Sequence, residues 1–223
     1  KEVTHVFVDE AHHSTAKTWQ DTLSLSQNKP LVQFTATPYR RDGQRIEGKI
    51  IYSYPLGKAQ KNKYFSKINY FAVTAILNTD EAIATKAVSK LREDLKNGFN
   101  HVLMARVKSK DRAEAILPIY EKIASDLKPV LLHSGEPQSK QKISLKAVEN
   151  GESKIIICVN MLGEGYDLPQ LKVAAIHDPH KSLAITLQFI GRFARVKDNS
   201  NIGDASVVIE RVGAYEDENL ARL

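Results

Sequence analysis

The feature that most constrains the fold of this chain is a repeated alternation of short apolar segments with longer stretches of helical periodicity. The apolar segments are rich in Val, Ile, Leu or Phe, as is typical of strands buried on both faces of a sheet. The alternation therefore predicts an α/β fold, with parallel sheets and flanking crossover helices. The predicted strands are 3–8, 31–35, 69–74, 101–106, 129–133, 154–159, 173–177 and 205–210, and the predicted helices are 16–25, 80–97, 109–126, 138–150, 181–194 and 214–222.

These elements are divided unequally along the chain. The stretch 65–223 holds six predicted strands with at least five helices, which is enough for one complete small α/β domain. The stretch 1–64 holds two strands and one helix, and it opens inside an apolar strand pattern. Because two strands cannot bury a sheet by themselves, we expect 1–64 to be the C-terminal part of a first domain in a longer polypeptide.

Polar residues that follow a strand are the first candidates for a site, since parallel sheets bind ligands at the carboxyl ends of their strands. Asp9 and Glu10 follow the first strand directly. Burying unpaired carboxylates is costly, and a divalent cation is one compensation for that cost. One acid would then hold Mg²⁺ while the other acts on a water that attacks phosphorus. The alternative is an exposed acid pair that begins a loop or caps a helix.

Three other polar stretches follow in the same order along the chain. The sequence "FTATPYR" at 34–40 follows the second strand, and "VNMLGEGYDLP" at 159–169 follows a later strand with two glycines that permit close backbone approach to a ligand. The sequence "QFIGRFARV" at 188–196 places Gln188, Arg192 and Arg195 on one helical face. Two arginines on one face suit a phosphate group.

Together these stretches resemble the superfamily 2 helicases and translocases. "DEAH" at 9–12, "TAT" at 35–37, "GEGYD" at 163–167 and the run at 188–195 match the second, third, fifth and sixth motifs of that superfamily. "HVLMARVKSKDRAE" at 101–114 and "LLHSGE" at 131–136 resemble less sharp motifs of its second domain. "TATPYRRDGQRIEGKIIYSYPLGKA" resembles the branch with the helicase subunits of type I and type III restriction enzymes and related repair helicases. The resemblance implies two RecA-like domains, the first partial and the second complete.

The resemblance also implies roles for residues near the nucleotide. Asp9 would position Mg²⁺ with ATP, and Glu10 would orient or deprotonate the attacking water. His12 would couple the nucleotide site to the second domain through Gln188. Arg192 and Arg195 would contact the phosphates, and Arg195 is the expected arginine finger. Gly163, Gly165 and Asp167 would contact the nucleotide. Thr35 and Thr37 would couple hydrolysis to the grip on nucleic acid.

Contacts with the nucleic acid itself are predicted for four other positions. Ser134 and Gly135 follow a strand and would donate to a phosphate, and Arg106 and Ser182 are similar candidates. Ordinary loop or cap chemistry is the alternative for all four. DNA is preferred over RNA as the track because of the restriction-enzyme resemblance, and restriction or repair subunits are the partners that this branch implies.

One element of the family is missing from the sequence. No run of the form G-x-x-x-x-G-K-[ST], the loop that cradles the phosphates, occurs in these residues. We expect that loop upstream, in the remainder of a larger polypeptide, and we expect the stretch in hand to be inactive as an ATPase by itself. A rival hypothesis is a nucleic-acid-binding or regulatory module without its own ATPase activity, and another is an RNA helicase.

The composition shows an excess of basic over acidic residues, and it predicts a protein of the reducing cytoplasm. The formal net charge is +6. Residues 1–68 contribute 11 Lys and Arg against 6 Asp and Glu, so the excess lies mainly in that part. It is either a solvated loop face or a phosphate-contacting surface. The one cysteine, Cys158, excludes an internal disulfide, and no apolar run is long enough to predict a membrane span.

Overall fold

The structure is a computed structural model that describes residues 4–11, 21, 24, 29–35, 46–75, 77–159, 168–178, 191–194 and 203–211. The chain divides into two compact units, Lys1–Ser53 and Tyr54–Leu223. The domain boundary predicted between 64 and 65 stays a prediction. None of the described helices is long and apolar enough to cross a membrane.

The first unit contains two parallel strands, β1 (Val6–Val8) and β2 (Leu31–Gln33). Val6 pairs with Leu31 and Val8 with Gln33. Both predicted strands are thereby confirmed, with shorter bounds than the apolar pattern indicated. The helix predicted over 16–25 lies almost entirely outside the described residues.

The second unit contains a parallel sheet of six described strands, and every one of them was predicted. In sheet order they are β3 (Ile68–Val73), β8 (Ala205–Glu210), β7 (Leu171–Ile176), β4 (Val102–Val107), β6 (Ile155–Val159) and β5 (Val130–Leu132). The described helices are α1 (Leu56–Lys61), α2 (Thr79–Lys96), α3 (Lys110–Ala124) and α4 (Gln138–Glu149), with a 3-10 turn at Ser125–Leu127. Helices α2, α3 and α4 were predicted.

Alternate residues of the sheet build two cores. One face packs against α2 and α3, where Ile83 and Leu91 of α2 and Ile116 of α3 are fully buried among strand residues such as Leu103 and Ile157. The other face packs against Val148 of α4 and against Phe193. All six residues of β4, five apolar residues and Arg106, are buried, because β4 lies in the middle of the sheet with cover on both faces.

A lysine lies within this buried sheet. Lys172 in β7 is fully buried, and its Nζ donates a hydrogen bond to Ser66 Oγ at 3.2 Å. Burial lowers the pKa of Lys172 to about 8, although the nearby charge of Asp204 acts in the opposite direction. The hydrogen bond joins β7 to the segment that enters β3, so the lysine ties two parts of the unit together.

We expect this lysine to give the unfolding free energy a particular pH dependence. The folded-state pKa of about 8 lies below the unfolded value near 10.4, so between those pH values the unfolded chain holds a proton that the folded chain has lost. Stability contributed at this site therefore rises with pH in that window. The unfolding free energy of the wild type minus that of Lys172→Met should increase by about 2 kcal/mol between pH of about 7.5 and 9.5. Urea unfolding at both pH values tests this, and parallel pH profiles would contradict it.

Candidate nucleotide and nucleic-acid site

The acid pair and Thr35, the first threonine of the "TAT" run, lie at one edge of the first unit. Asp9 and Glu10 follow β1, and Thr35 follows β2 by one residue. The ladder between the strands continues past their ends, because Phe34 N donates to Val8 O at 2.8 Å and Ala11 N donates to Phe34 O at 2.9 Å. Since β1 and β2 are parallel, their carboxyl ends bring Glu10 and Thr35 to the same edge.

The backbone of the acid pair is unusual. Glu10 has a φ of +48°, in the left-handed region that non-glycine residues seldom adopt, and its N–H donates to Asp9 Oδ1 at 2.8 Å. Such conformations cost about 1–3 kcal/mol and are concentrated at functional sites. Both side chains are exposed in the structure, so the cost of burying unpaired acids is not the reason for their presence.

The exposed acid pair fits the chemistry of a magnesium nucleotide. Magnesium takes carboxylate oxygens together with water and phosphate oxygens, and it is held by one or two carboxylates in most phosphate-transfer sites. Asp9 and Glu10 present two carboxylates at one strand end. Among the described residues no group of three or more His, Cys, Asp or Glu side chains is arranged to hold a metal by itself. The donor set therefore suits a cation that arrives with phosphates.

In the second unit, the residues that follow two neighbouring strands meet at the carboxyl edge of the sheet. β4 pairs with β7 in parallel, so the residues after these two strands are neighbours. Lys108 and Ser109 follow β4, and His177 and Asp178 follow β7. The loop after β6 lies outside the described residues, as do the predicted site residues Gly163, Gly165 and Asp167, together with His12, Thr37, Ser182, Gln188 and Arg195.

A hydrogen-bonded network joins the loop after β7 to the starts of two helices. Arg112, in the first turn of α3, makes two bonds of 2.9 Å to Asp80 of α2 and one of 3.2 Å to Asp178. His177 Nδ1 lies 2.9 Å from Asp80 Oδ1, and His177 Nε2 lies 3.0 Å from the hydroxyl of Tyr120. We call these five residues the Asp80 network.

The electrostatics of the Asp80 network favour an ionised Asp80 carboxylate and a protonated Tyr120 hydroxyl. Hydrogen bonds from His177 and Arg112 hold the pKa of the Asp80 carboxyl well below its usual range, against the effect of burial. Burial raises the pKa of the Tyr120 hydroxyl above its usual range, so the phenol stays protonated. An ionised carboxylate only accepts hydrogen bonds, so His177 Nδ1 is the donor to Asp80, and the Tyr120 hydroxyl is the hydrogen-bond partner of His177 Nε2.

We expect Asp80→Asn to lower the free energy of unfolding by about 2 kcal/mol at pH 7, because it removes a charge that two donors share. The folded pKa of Asp80 is lowered, so its contribution is complete above the unfolded pKa near 3.9 and is lost as pH falls toward the folded pKa. The difference from wild type should shrink by about 1 kcal/mol at pH near 3. Urea unfolding at both pH values measures these differences.

Asp111→Asn is the control, since Asp111 is an exposed acid in the first turn of α3. Equal losses in both variants would contradict the prediction.

Three predicted nucleic-acid contacts are among the described residues. Ser134 and Gly135 are exposed after β5, but the Gly135 N–H donates to His133 Nδ1 at 3.2 Å. Arg106 is 3% exposed in β4, and burial lowers the pKa of its guanidinium, with Asp178 acting in the opposite direction. A contact by Arg106 would need its covering residues to move. These roles stay predictions.

Arg192 is the one predicted phosphate-contacting arginine that the structure describes. It lies in a helical stretch at 191–194 and is half-buried. The next residues hold this stretch to the sheet, because Phe193 is buried in the core and the Ser66 N–H donates to Ala194 O at 2.7 Å. Arg192 is thereby fixed to the segment that enters β3.

Sequence reasoning missed the Asp80 network. A usable signal was present, because Asp178 follows a strand at the carboxyl edge and both Asp80 and Arg112 lie in the first turn of a helix. Their partners are 32 to 97 residues apart along the chain, and only the sheet order brings them together.

Comparison with protein families agrees with this arrangement. The helicase conserved C-terminal domain matches residues 86–197, half of the chain, and the res subunit of type III restriction enzymes matches residues 1–40. The chain belongs to the superfamily 2 helicases. The parallel sheet with flanking helices in the second unit is accordingly the RecA-like C-terminal domain of this superfamily.

Individual relatives cover the chain at low identity. A 51.5 kDa protein of a Lactococcus phage is 27% identical over 83% of the chain, and the ATP-dependent RNA helicase SUB2 of Meyerozyma guilliermondii is 26% identical over 65%. The chain spans 44% and 31% of those proteins. The structure of Saccharomyces cerevisiae Dbp5 bound to RNA and ADP-BeF3 matches 99% of the chain with a TM-score of 0.57 at 12% identity, over 57% of that protein. This last likeness concerns the fold.

Proposed function

We propose that the chain is part of the motor core of an ATP-dependent DNA helicase or translocase. In this proposal 1–64 belongs to the first RecA-like lobe and 65–223 is the second. The observation that carries the proposal is the acid pair at the carboxyl end of β1, beside Thr35, in a chain of the superfamily 2 helicases. Mg-ATP would bind between the lobes, and its hydrolysis would alternate the grip of the lobes on the strand.

The first lobe supplies the groups that act on water and on the nucleotide. Asp9 would hold Mg²⁺, and the cation would supply neutralisation of phosphate charge. Glu10 accepts a proton from the attacking water or orients it, as an exposed carboxylate at a strand end is able to do. His12 couples this site to Gln188 of the second lobe, and Thr35 and Thr37 relate the state of the nucleotide to the grip on nucleic acid.

The second lobe supplies the groups that stabilise charge. Gly163, Gly165 and Asp167 would contact the nucleotide, with Asp167 near the ribose. Arg192 and Arg195 would contact the γ-phosphate, with Arg195 as the arginine finger. An arginine suits this role because it stays charged and offers several donors in a plane. The hydrogen bond from the Ser66 N–H to Ala194 O supports a fixed position for the described stretch that carries Arg192.

The nucleic acid lies across both lobes and is held mainly through its backbone. Ser134, Gly135, Arg106 and Ser182 are the proposed contacts of the second lobe. DNA is the proposed track, supported by the match to a restriction-enzyme subunit, and restriction or repair subunits are the proposed partners. RNA is the second candidate, because one relative is named an RNA helicase.

The test is ATP hydrolysis by the chain extended upstream until it includes a phosphate-binding loop. Turnover is measured with Mg²⁺, alone and with single- or double-stranded DNA or RNA. Stimulation by DNA supports the proposal, and stimulation by RNA alone would replace DNA as the track. An absence of turnover under every condition, with the loop present, would favour a regulatory module.

A further inference from the structure

The segment that leads into the second sheet carries an unbroken basic charge. Between 48 and 79 the sequence contains five lysines and no Asp or Glu. Four of the five, Lys58, Lys61, Lys63 and Lys67, are exposed on α1 or on the loop that joins α1 to β3. We infer that α1 and this loop, residues 54–67, form a contact surface for single-stranded nucleic acid in addition to the helicase motifs. We call it the α1 surface.

Two tyrosines are held in place among these lysines. The rings of Tyr54 and Tyr64 meet edge to face with centroids 6.2 Å apart, and Asn62 Nδ2 donates to the Tyr54 hydroxyl at 2.6 Å. Lys58 Nζ lies 5.4 Å from the centroid of the Tyr54 ring. Tyr64 remains 63% exposed, so one ring of the pair is open to a partner. An aromatic ring that is ordered and exposed beside cations is the arrangement on which bases stack.

The backbone at Lys63 is a second observation. Lys63 follows α1 with a φ of +61°, and its N–H donates to Gln60 O at 2.9 Å. Glycine takes this conformation without steric cost, whereas a lysine is strained there. The strained position therefore carries a side chain with a long reach and a positive charge, next to Tyr64.

Nucleic acid fits this surface better than a neutral or apolar partner does. The described lysines offer charge for phosphates, and the tyrosine face accepts any base because every base has a π-face. The surface precedes the amino end of β3, whereas Ser134 and Gly135 follow the carboxyl end of β5. The Ser66 N–H of the same segment donates to Ala194 O of the 188–195 run. A strand bound here would extend the footprint beyond the predicted contacts at Ser134 and Gly135.

The chain provides a matched control for the charge. Lys128 is also exposed and left-handed, with a φ of +48°, and its N–H donates to Ser125 O at 3.1 Å. It precedes β5, whereas Lys63 precedes β3, and these two strands are opposite edges of the sheet. Lys63→Gly and Lys128→Gly therefore remove the same charge from the same backbone conformation on different surfaces. Both variants should unfold at the same temperature as the wild type or higher, because glycine relieves the conformation.

Binding is measured by fluorescence anisotropy with a labelled oligothymidylate of roughly 20 nucleotides, across a range of salt concentrations. Lys63→Gly should weaken binding by about threefold to tenfold and reduce the slope of log K against log salt by about 0.7, the value for one phosphate contact on a single strand. Lys128→Gly should leave both quantities unchanged. Equal losses in the two variants would mean general electrostatic attraction and would overturn the α1 surface.

The aromatic contact is tested in the same assay. Tyr64→Leu should weaken binding by about fivefold or more, and Tyr64→Phe should bind as the wild type does, since stacking needs the ring and not the hydroxyl. Wild-type affinity in Tyr64→Leu would overturn the stacking role. If polyglutamate displaces the oligonucleotide at equal charge concentration, the surface is an acidic-protein site and the inference is wrong.

The inference rests on the proposed nucleic-acid track, but the two fail separately. If the extended chain shows DNA-stimulated turnover while Lys63→Gly and Tyr64→Leu bind normally, the motor stands and the α1 surface falls. If the extended chain shows no turnover while these variants lose oligonucleotide affinity, the α1 surface stands and the motor falls.

Discussion

Glu10→Gln is expected to reduce ATP turnover by the extended chain by a factor of about 10²–10⁴, the range that a general base contributes. The amide keeps the size of the carboxylate but cannot take a proton from water. Nucleotide affinity should stay within about twofold, because Asp9 still binds the cation. Steady-state turnover and binding of a fluorescent nucleotide measure the two quantities.

The control for this variant lies in the same unit. Glu47→Gln removes the same charge from an exposed acid whose backbone oxygen, and not its carboxylate, accepts a hydrogen bond from Gln33. Turnover in that variant should match the wild type. Full turnover in Glu10→Gln would show that Glu10 does not act on the water, and loss of turnover in both variants would point to a general effect of charge.

Arg195→Ala is expected to have an effect of similar or larger size. An arginine finger is worth about 10³–10⁵ in rate in related enzymes, because it stabilises charge that accumulates only in the transition state. The loss should therefore appear in kcat, while KM changes little. Arg195→Lys should restore little of the rate, since a lysine lacks the planar set of donors.

A surface arginine provides the comparison. Arg92 forms an exposed ion pair with Asp126, and pairs of this kind contribute little because water and salt screen them. Arg92→Ala should leave kcat unchanged. If Arg195→Ala raises KM with kcat unaltered, Arg195 binds nucleotide in the ground state and the finger role is wrong.

The sheet of the second unit was predictable because its strands are buried on both faces. A strand such as β6, Ile155–Val159, shows a continuous apolar run that a single sequence reveals. Helix α1 was not predicted. It has six residues, a proline at its N-cap and a glycine in its first turn, and one residue, Ala59, is buried. A helix that short has no apolar periodicity to detect.

The sequence predicted where the residues of the candidate site lie, but it did not predict the physical reason for the acid pair. Asp9, Glu10 and Thr35 were expected at strand ends, and they lie there. The reason offered for the acids, the cost of burial, was wrong, since both are exposed and the backbone at Glu10 is the strained feature. Strain of this kind depends on φ, which no residue pattern in this chain encodes. The Asp80 network escaped prediction because its partners meet only through the strand order.

The pairing of β3 with β8 has a consequence for how the protein is made. β3 is an edge strand whose one described neighbour is β8, and Asn69 and Asp204 at this pair are 135 residues apart. At a synthesis rate of about 5–20 residues per second, β3 leaves the ribosome roughly 7 to 27 s before its partner. During that interval its hydrogen-bonding edges have no native partner from β8. The length of time for which β3 stays unpaired in the nascent chain therefore depends on the rate of translation. A chaperone that covers β3 should raise the yield of folded protein more than it changes the final stability.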